Sequence, residues 1–169
     1  MPACGIYNET GQGRAPEQWD AIWKASIAVS PGDFVFRDTD GYDKPVSSYT
    51  WNTDIATTAG ALNILLRGVS MARRLAAQAT DGGKADGNIL KTGEFCFPCA
   101  ALGSAAAPGA LVTFAKQASA NLVDNQAVAV TATIGQAFGR VTRDAPVGQT
   151  FLFFELLLPL LYGGPTAPA

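Results

Sequence analysis

A chain of 169 residues, 48% of them apolar, is long enough for a domain with a core of its own and needs neither a metal nor a disulfide framework to fold. Its 12 Lys and Arg against 14 Asp and Glu leave a net charge of −2 and no basic run able to neutralise several phosphates, which excludes nucleic acid as a partner. Charged residues make up 15% of the chain against roughly 25% in an ordinary soluble protein, so part of the surface is expected to be covered by further copies of the chain or by another protein.

In chain order, residues 1–17 carry Pro2, Gly5, Gly11, Gly13 and Pro16 without an apolar period and read as an extended arm. The start, Met1-Pro2-Ala3-Cys4-Gly5, lacks the cationic flank and apolar stretch of a secretory signal, so synthesis in the cytoplasm is expected. Glu17 to Ala25 sets Trp19, Ile22 and Trp23 three and four apart, which fits a short helix or the lead-in to a strand and closes an N-terminal segment, 1–26.

A β domain is predicted over 27–158. It opens with Ile27 and Val29, the turn Pro31-Gly32-Asp33, the strand Phe34-Val35-Phe36 and the polar turn Arg37 to Gly41. Residues 42–60, rich in Ser, Thr, Asn and Asp, read as an inserted loop or hairpin. Ile64 to Met71 resumes strand character around Gly68, and Ala72 to Ala79 is the strongest helix former. After a turn-rich connector, Asp81 to Asn88, come Ile89 to Lys91 and Gly93 to Pro98, one or two strands with Phe95 and Phe97 on one face.

Ala100 to Ala107 reads as a small-residue loop, and Pro108 to Phe114 repeats the turn-then-strand grammar of Pro31 to Phe36. Ala127 to Ile134, Gly135 to Val141, the turn Asp144 to Gly148 and the strand Phe151 to Leu158 follow, with 159–169 as a tail. Turn signals at this density predict a mainly β fold, a small β-barrel or β-sandwich with one short helix and extended N- and C-terminal arms.

The strand Phe151 to Leu158 is apolar on both faces, and is either a subunit contact or a central strand under the predicted helix. Phe151, Phe153, Leu157, Leu160, Leu161 and Tyr162 are the residues expected at such a contact. The stretch Phe151 to Tyr162 is broken by Glu155 and Pro159 and falls short of the ~20 residues of a membrane helix, so no membrane association is expected.

Little here reads as catalysis. The chain has no histidine, which removes His-assisted nucleophiles, His metal ligands and the usual proton shuttle. Cys96-Phe97-Pro98-Cys99 has redox spacing but closes a strand rather than opening a helix, and Cys4 would be only a third metal ligand. Asp38-Thr39-Asp40-Gly41-Tyr42-Asp43 resembles the start of a calcium loop, yet Tyr49 stands where the closing Glu belongs, so a polar hairpin turn is read there. Gly82-Gly83-Lys84-Ala85 lacks the Ser or Thr and the upstream Gly of a phosphate loop. Glu94 and Glu155 stand inside strand patterns, and nothing in the sequence brings them together as a hydrolytic pair. No enzyme activity, metal or cofactor is expected.

The order of the blocks Gly32 to Phe36, Gly68 to Ser70, Thr92 to Pro98, Pro108 to Phe114, Ile134 to Val141 and Gly148 to Leu156 is similar to that in tailed-bacteriophage capsid decoration proteins, also called cement or head-stabilising proteins. The resemblance implies a structural virion protein on the outer surface of the capsid, often a homotrimer, seated where major capsid protein subunits meet. The N-terminal arm, the 42–60 insertion and the tail from Leu157 depart from that block order. Trp19, Trp23, Tyr49 and Trp51 are then the candidate capsid or ligand contacts. A receptor- or glycan-binding head or tail fibre module, using Tyr42, Tyr49 and Trp51, is the competing expectation.

Overall fold

The computed structural model describes residues 6–7, 18–71, 73–75 and 84–157. Two antiparallel sheets dominate. The first has the order β1 (Ile6–Tyr7), β7 (Glu94–Pro98), β11 (Phe151–Leu156), β10 (Gly139–Val141), β8 (Leu111–Lys116), β9 (Val123–Thr131). The second has the order β2 (Gln18–Ile22), β6 (Lys84–Leu90), β5 (Leu66–Ser70), β3 (Phe34–Arg37), β4 (Asp43–Pro45). The fold is mainly β, as the turn density predicts, and of the two architectures expected it takes the sandwich. The first sheet does curl: Cys99, just past β7, forms an isolated parallel bridge with Val128 of β9, short of a closed ladder.

Period-two alternation builds the core. Phe34 and Phe36 of β3, Leu66 and Val69 of β5 and Leu90 of β6 face Phe95, Phe97, Val112, Phe114, Leu152 and Phe154 of the first sheet. Phe34 lies at the centre, stacked on Phe97 at 4.7 Å and meeting Phe138 at 5.1 Å and Phe114 at 6.0 Å edge-on. Phe95 and Phe97 share the inward face, as their spacing requires.

Leu66 and Val69 are an odd number of residues apart, so an unbroken strand would point them to opposite faces. A register irregularity opposite Val35 and Phe36 resets the alternation, and Gly68 at its centre has φ +140°. A Cβ on Gly68 would stand 2.1 Å from the Leu90 carbonyl oxygen, so only glycine fits.

The repeated grammar has a common geometry. In Ser30–Asp33, Ala107–Ala110 and Pro146–Gln149 the fourth N–H bonds the first carbonyl at 3.1, 3.0 and 3.1 Å. The third residue of each, Gly32, Gly109 and Gly148, has φ +92°, +92° and +82°, the left-handed position of a type II turn.

Several expectations need correction. Of the two readings of Glu17 to Ala25, the strand holds, as β2. Residues 42–60 are not an irregular loop: they hold β4, a 3-10 turn at Val46–Ser48 and the start of α1 (Ile55–Asn63). Asp54 caps that helix, its carboxylate accepting from the Thr57 N–H at 2.8 Å, and Thr58, Ala59, Leu62 and Asn63 form its buried stripe. The Thr residues and Gly60 depress intrinsic helix propensity, and burial of that stripe overrides it.

The predicted helix Ala72–Ala79 lies mostly outside the described residues, and its described part is extended, with Arg74 exchanging backbone hydrogen bonds with Val29 at 2.8 and 2.9 Å. The connector Asp81 to Asn88 becomes strand from Lys84, because pairing with β2 uses backbone groups and tolerates Asp86 and Gly87. The N-terminal arm lies outside the described residues except for Ile6 and Tyr7, which pair with β7 at the edge of the first sheet. No helix among the described residues is long and apolar enough to cross a membrane.

Candidate functional site

The outer face of the first sheet is built by register. In β11 the burial alternates, with Leu152, Phe154 and Leu156 in the core and Phe151, Phe153 and Glu155 half-buried on the far side. Phe151 stands opposite Pro98, Phe153 opposite Cys96 and Glu155 opposite Glu94. The two outer rings meet edge-to-face with centroids 5.8 Å apart. The expected two-sided strand therefore has one face in the core and a second, aromatic face turned outward.

The register also joins the two carboxylates that the sequence kept apart. Like charges directly opposite on adjacent strands repel, and each here has its own arginine. Glu94 accepts from Thr142 Oγ1 at 2.5 Å and Arg143 Nε at 3.0 Å, and Glu155 pairs with Arg140. The Arg143 guanidinium also lies 4.4 Å from the centre of the Phe153 ring. Burial raises the Glu94 pKa, but the hydrogen bonds from Arg143 and Thr142 outweigh it and hold the carboxyl below its ordinary range. A general acid of a glycosidase has its pKa raised, the opposite of the Glu94 shift, and the two carboxylates with their arginines form a paired ionic cluster beside the aromatic patch.

The chain matches no family model and no curated protein.

The other candidates resolve into structure. Lys44 Nζ lies 2.6 Å from Asp38 and 2.8 Å from Asp40, and Lys24 lies 3.6 Å from Asp40. The Lys44 hydrogen bond holds Asp38 below its ordinary pKa. Asp43 is buried, bonded by Arg37 at 3.0 and 2.8 Å and by the Ile22 N–H at 2.7 Å. Each carboxylate of the calcium-like stretch thus already has a cation, and the stretch is the turn of the β3–β4 hairpin. Among the described residues no group of three or more His, Cys, Asp or Glu is placed to hold a metal.

Cys96 faces outward on β7, while Cys99 packs against the core. Residues three apart on a strand point to opposite faces with Cα atoms about 10 Å apart, too far for a disulfide.

Trp23 was a candidate contact, but it is 1% exposed and sits in a second core with Ala21, Val29, Val35 and Ile89 on the outer side of the five-stranded sheet. It has no face to offer a partner. Tyr49 packs edge-on against Phe36 at 5.5 Å, and Trp51 lies half-buried against the main core, so both act first as packing residues. Trp19 takes its place in β2 opposite Ile89. Leu157 is half-buried, its N–H donating to the Phe138 carbonyl at 2.6 Å, and Leu160, Leu161 and Tyr162 lie outside the described residues. Sequence reasoning missed Arg140 and Arg143, although they are the only cations after Lys116 and two strand carboxylates needed partners.

Proposed function

We propose that this protein is a structural virion protein that decorates and stabilises the capsid shell of a tailed phage, binding between major capsid protein subunits as a homotrimer. The observation that carries the reading is block order. The blocks on which the resemblance rests each correspond to a strand, or a turn and its strand, of one sandwich: β3, β5, β7, β8, β10 and β11 in turn. The aromatic face of β11 with its ionic rim supports self-association or shell contact, since interface cores favour aromatics and Arg. The work of such a protein is mass action: a component that binds only the assembled shell stabilises it by its binding free energy. Neither catalysis nor a cofactor enters this reading.

The test is the solution mass by light scattering, followed by mixing with empty heads that lack the protein and heating them. A trimer that binds heads and raises their disruption temperature supports the proposal, and a monomer indifferent to heads overturns it. The glycan-binding alternative draws less support, because Tyr49 and Trp51 are engaged with the core.

A further inference from the structure

We infer that residues 23–26 form a strap that lifts while the rest of the sandwich stays folded, uncovering the Trp23 indole, and that Asp43 is the residue that holds it closed. β2 and β4 stand at opposite ends of the strand order, yet Trp23, just past β2, forms a parallel bridge with Asp43, the first residue of β4. The five-stranded sheet therefore curls until its edges meet, at a seam one bridge long. Contacts across the seam converge on Asp43. Its carbonyl accepts from the Lys24 N–H at 3.2 Å, and its buried carboxylate accepts from the Ile22 N–H at 2.7 Å while pairing with Arg37. The Lys24 ammonium adds contacts to the same hairpin, 3.6 Å from Asp40 and 4.5 Å from the centre of the Tyr42 ring, but these are solvated and weak.

The ends of the strap are fixed. Ile22 pairs with Lys84 on β6, and Val29 exchanges backbone hydrogen bonds with Arg74 at 2.8 and 2.9 Å. Between those anchors, burial of the indole with Ala21, Val29, Val35 and Ile89 favours the closed form. Two features of the closed form oppose it. Trp23 Nε1 is buried with no hydrogen-bond partner, a donor that water satisfies once the strap lifts. Ser26 has φ +59°, the one described non-glycine residue in the left-handed region, and lifting frees it from that conformation. The β2–β6 ladder also loses register between Asp20 and Ile22, so the strap adjoins pairing that is already interrupted. An unmet donor, a strained residue and a single-bridge seam fall in one short segment, which opens at lower cost than the ladders around it.

The inference is independent of the capsid proposal and has its own test, hydrogen exchange of the full chain followed by nuclear magnetic resonance. Three protons report the strap: the Trp23 indole N–H and the Ile22 and Lys24 amides. The Ser70 amide, bonded to Asp33 at 2.8 Å, and the Phe138 amide, bonded to Val112 at 2.9 Å, report the body of each sheet. The three strap protons should share one protection factor, at least about tenfold below those of Ser70 and Phe138, and insensitive to low urea because little surface is exposed on lifting. Asp43→Asn, which leaves only a neutral acceptor for Ile22, should lower protection of the Trp23 indole a further tenfold or so. An indole that exchanges only with Ser70 and Phe138 overturns the inference, and so does one that exchanges as freely as in an unfolded chain. Ile22 and Lys24 amides that exchange early while the indole stays protected reduce the event to fraying and overturn it too. Indole protection unchanged in a folded Asp43→Asn removes the role of Asp43, and the natural chain alone decides whether the strap lifts if that variant does not fold.

Discussion

The outer faces of the two sheets solve the same problem in different ways. On the five-stranded sheet the chain covers itself: Ala21, Val35 and Ile89 of its strands are buried in one cluster with Trp23 and Val29, and the buried Asp43 carboxylate is held by Arg37. On the six-stranded sheet Phe151 and Phe153 stay half-buried, bordered by Glu94–Arg143 and Glu155–Arg140 pairs that remain partly solvated. One face is an interior, built for stability. The other has the composition of a contact surface, aromatic at its centre and ionic at its rim.

Substitutions on the two faces should separate stability from association. The largest effect belongs to Gly68→Ala, which drives a Cβ into the Leu90 carbonyl and forces an alanine to φ +140°. A loss above about 4 kcal/mol is expected, seen as an unfolded or aggregated product by circular dichroism and size exclusion. Asp43→Ala leaves Arg37 without its buried partner and should cost about 3 kcal/mol in urea denaturation, although it touches nothing on the six-stranded sheet.

Phe153→Ser should cost less than about 1 kcal/mol in the same measurement, because its core-facing neighbours are untouched. If the aromatic face is the contact, it should nevertheless abolish trimer formation or head binding. A Phe153→Ser protein that still assembles and binds heads removes the distinction between the faces.

The smallest effects are in pH dependence, where two buried or half-buried carboxylates have opposite signs. Glu94 has a lowered pKa, so its contribution is present above the ordinary glutamate range and lost as pH falls through the depressed value. Glu94→Gln should flatten the acid limb of stability against pH. Asp33 accepts from the Ser30 N–H and from Gln126 Nε2, both at 2.8 Å, and so ties the two sheets together. Burial raises its pKa more than those hydrogen bonds lower it, so its contribution is present at low pH and lost as pH rises through the raised value. Asp33→Asn should remove that pH-dependent loss and flatten the curve above the ordinary aspartate range, while its single amide oxygen can accept from only one of the two donors. Urea midpoints measured from pH 3 to pH 8 resolve the two limbs.

Local chemistry was sufficient wherever backbone conformation is set by adjacent residues. Pro-Gly pairs announced the type II turns at Gly32 and Gly109, and alternating phenylalanines announced β3 and β7, whereas β11, apolar on both faces, did not say which face turns inward. The lack of histidine and the scarcity of charge were equally readable before any fold was known. What the sequence could not contain was register and coverage. Glu94 faces Glu155 only because β7 pairs with β11 at that offset, and α1 forms in a Thr-rich stretch only because the core buries Ala59 and Leu62. Trp23 reads as a contact residue until the strands around it close over the indole. These outcomes depend on partners distant in sequence, whose positions are decided only when the whole sandwich packs.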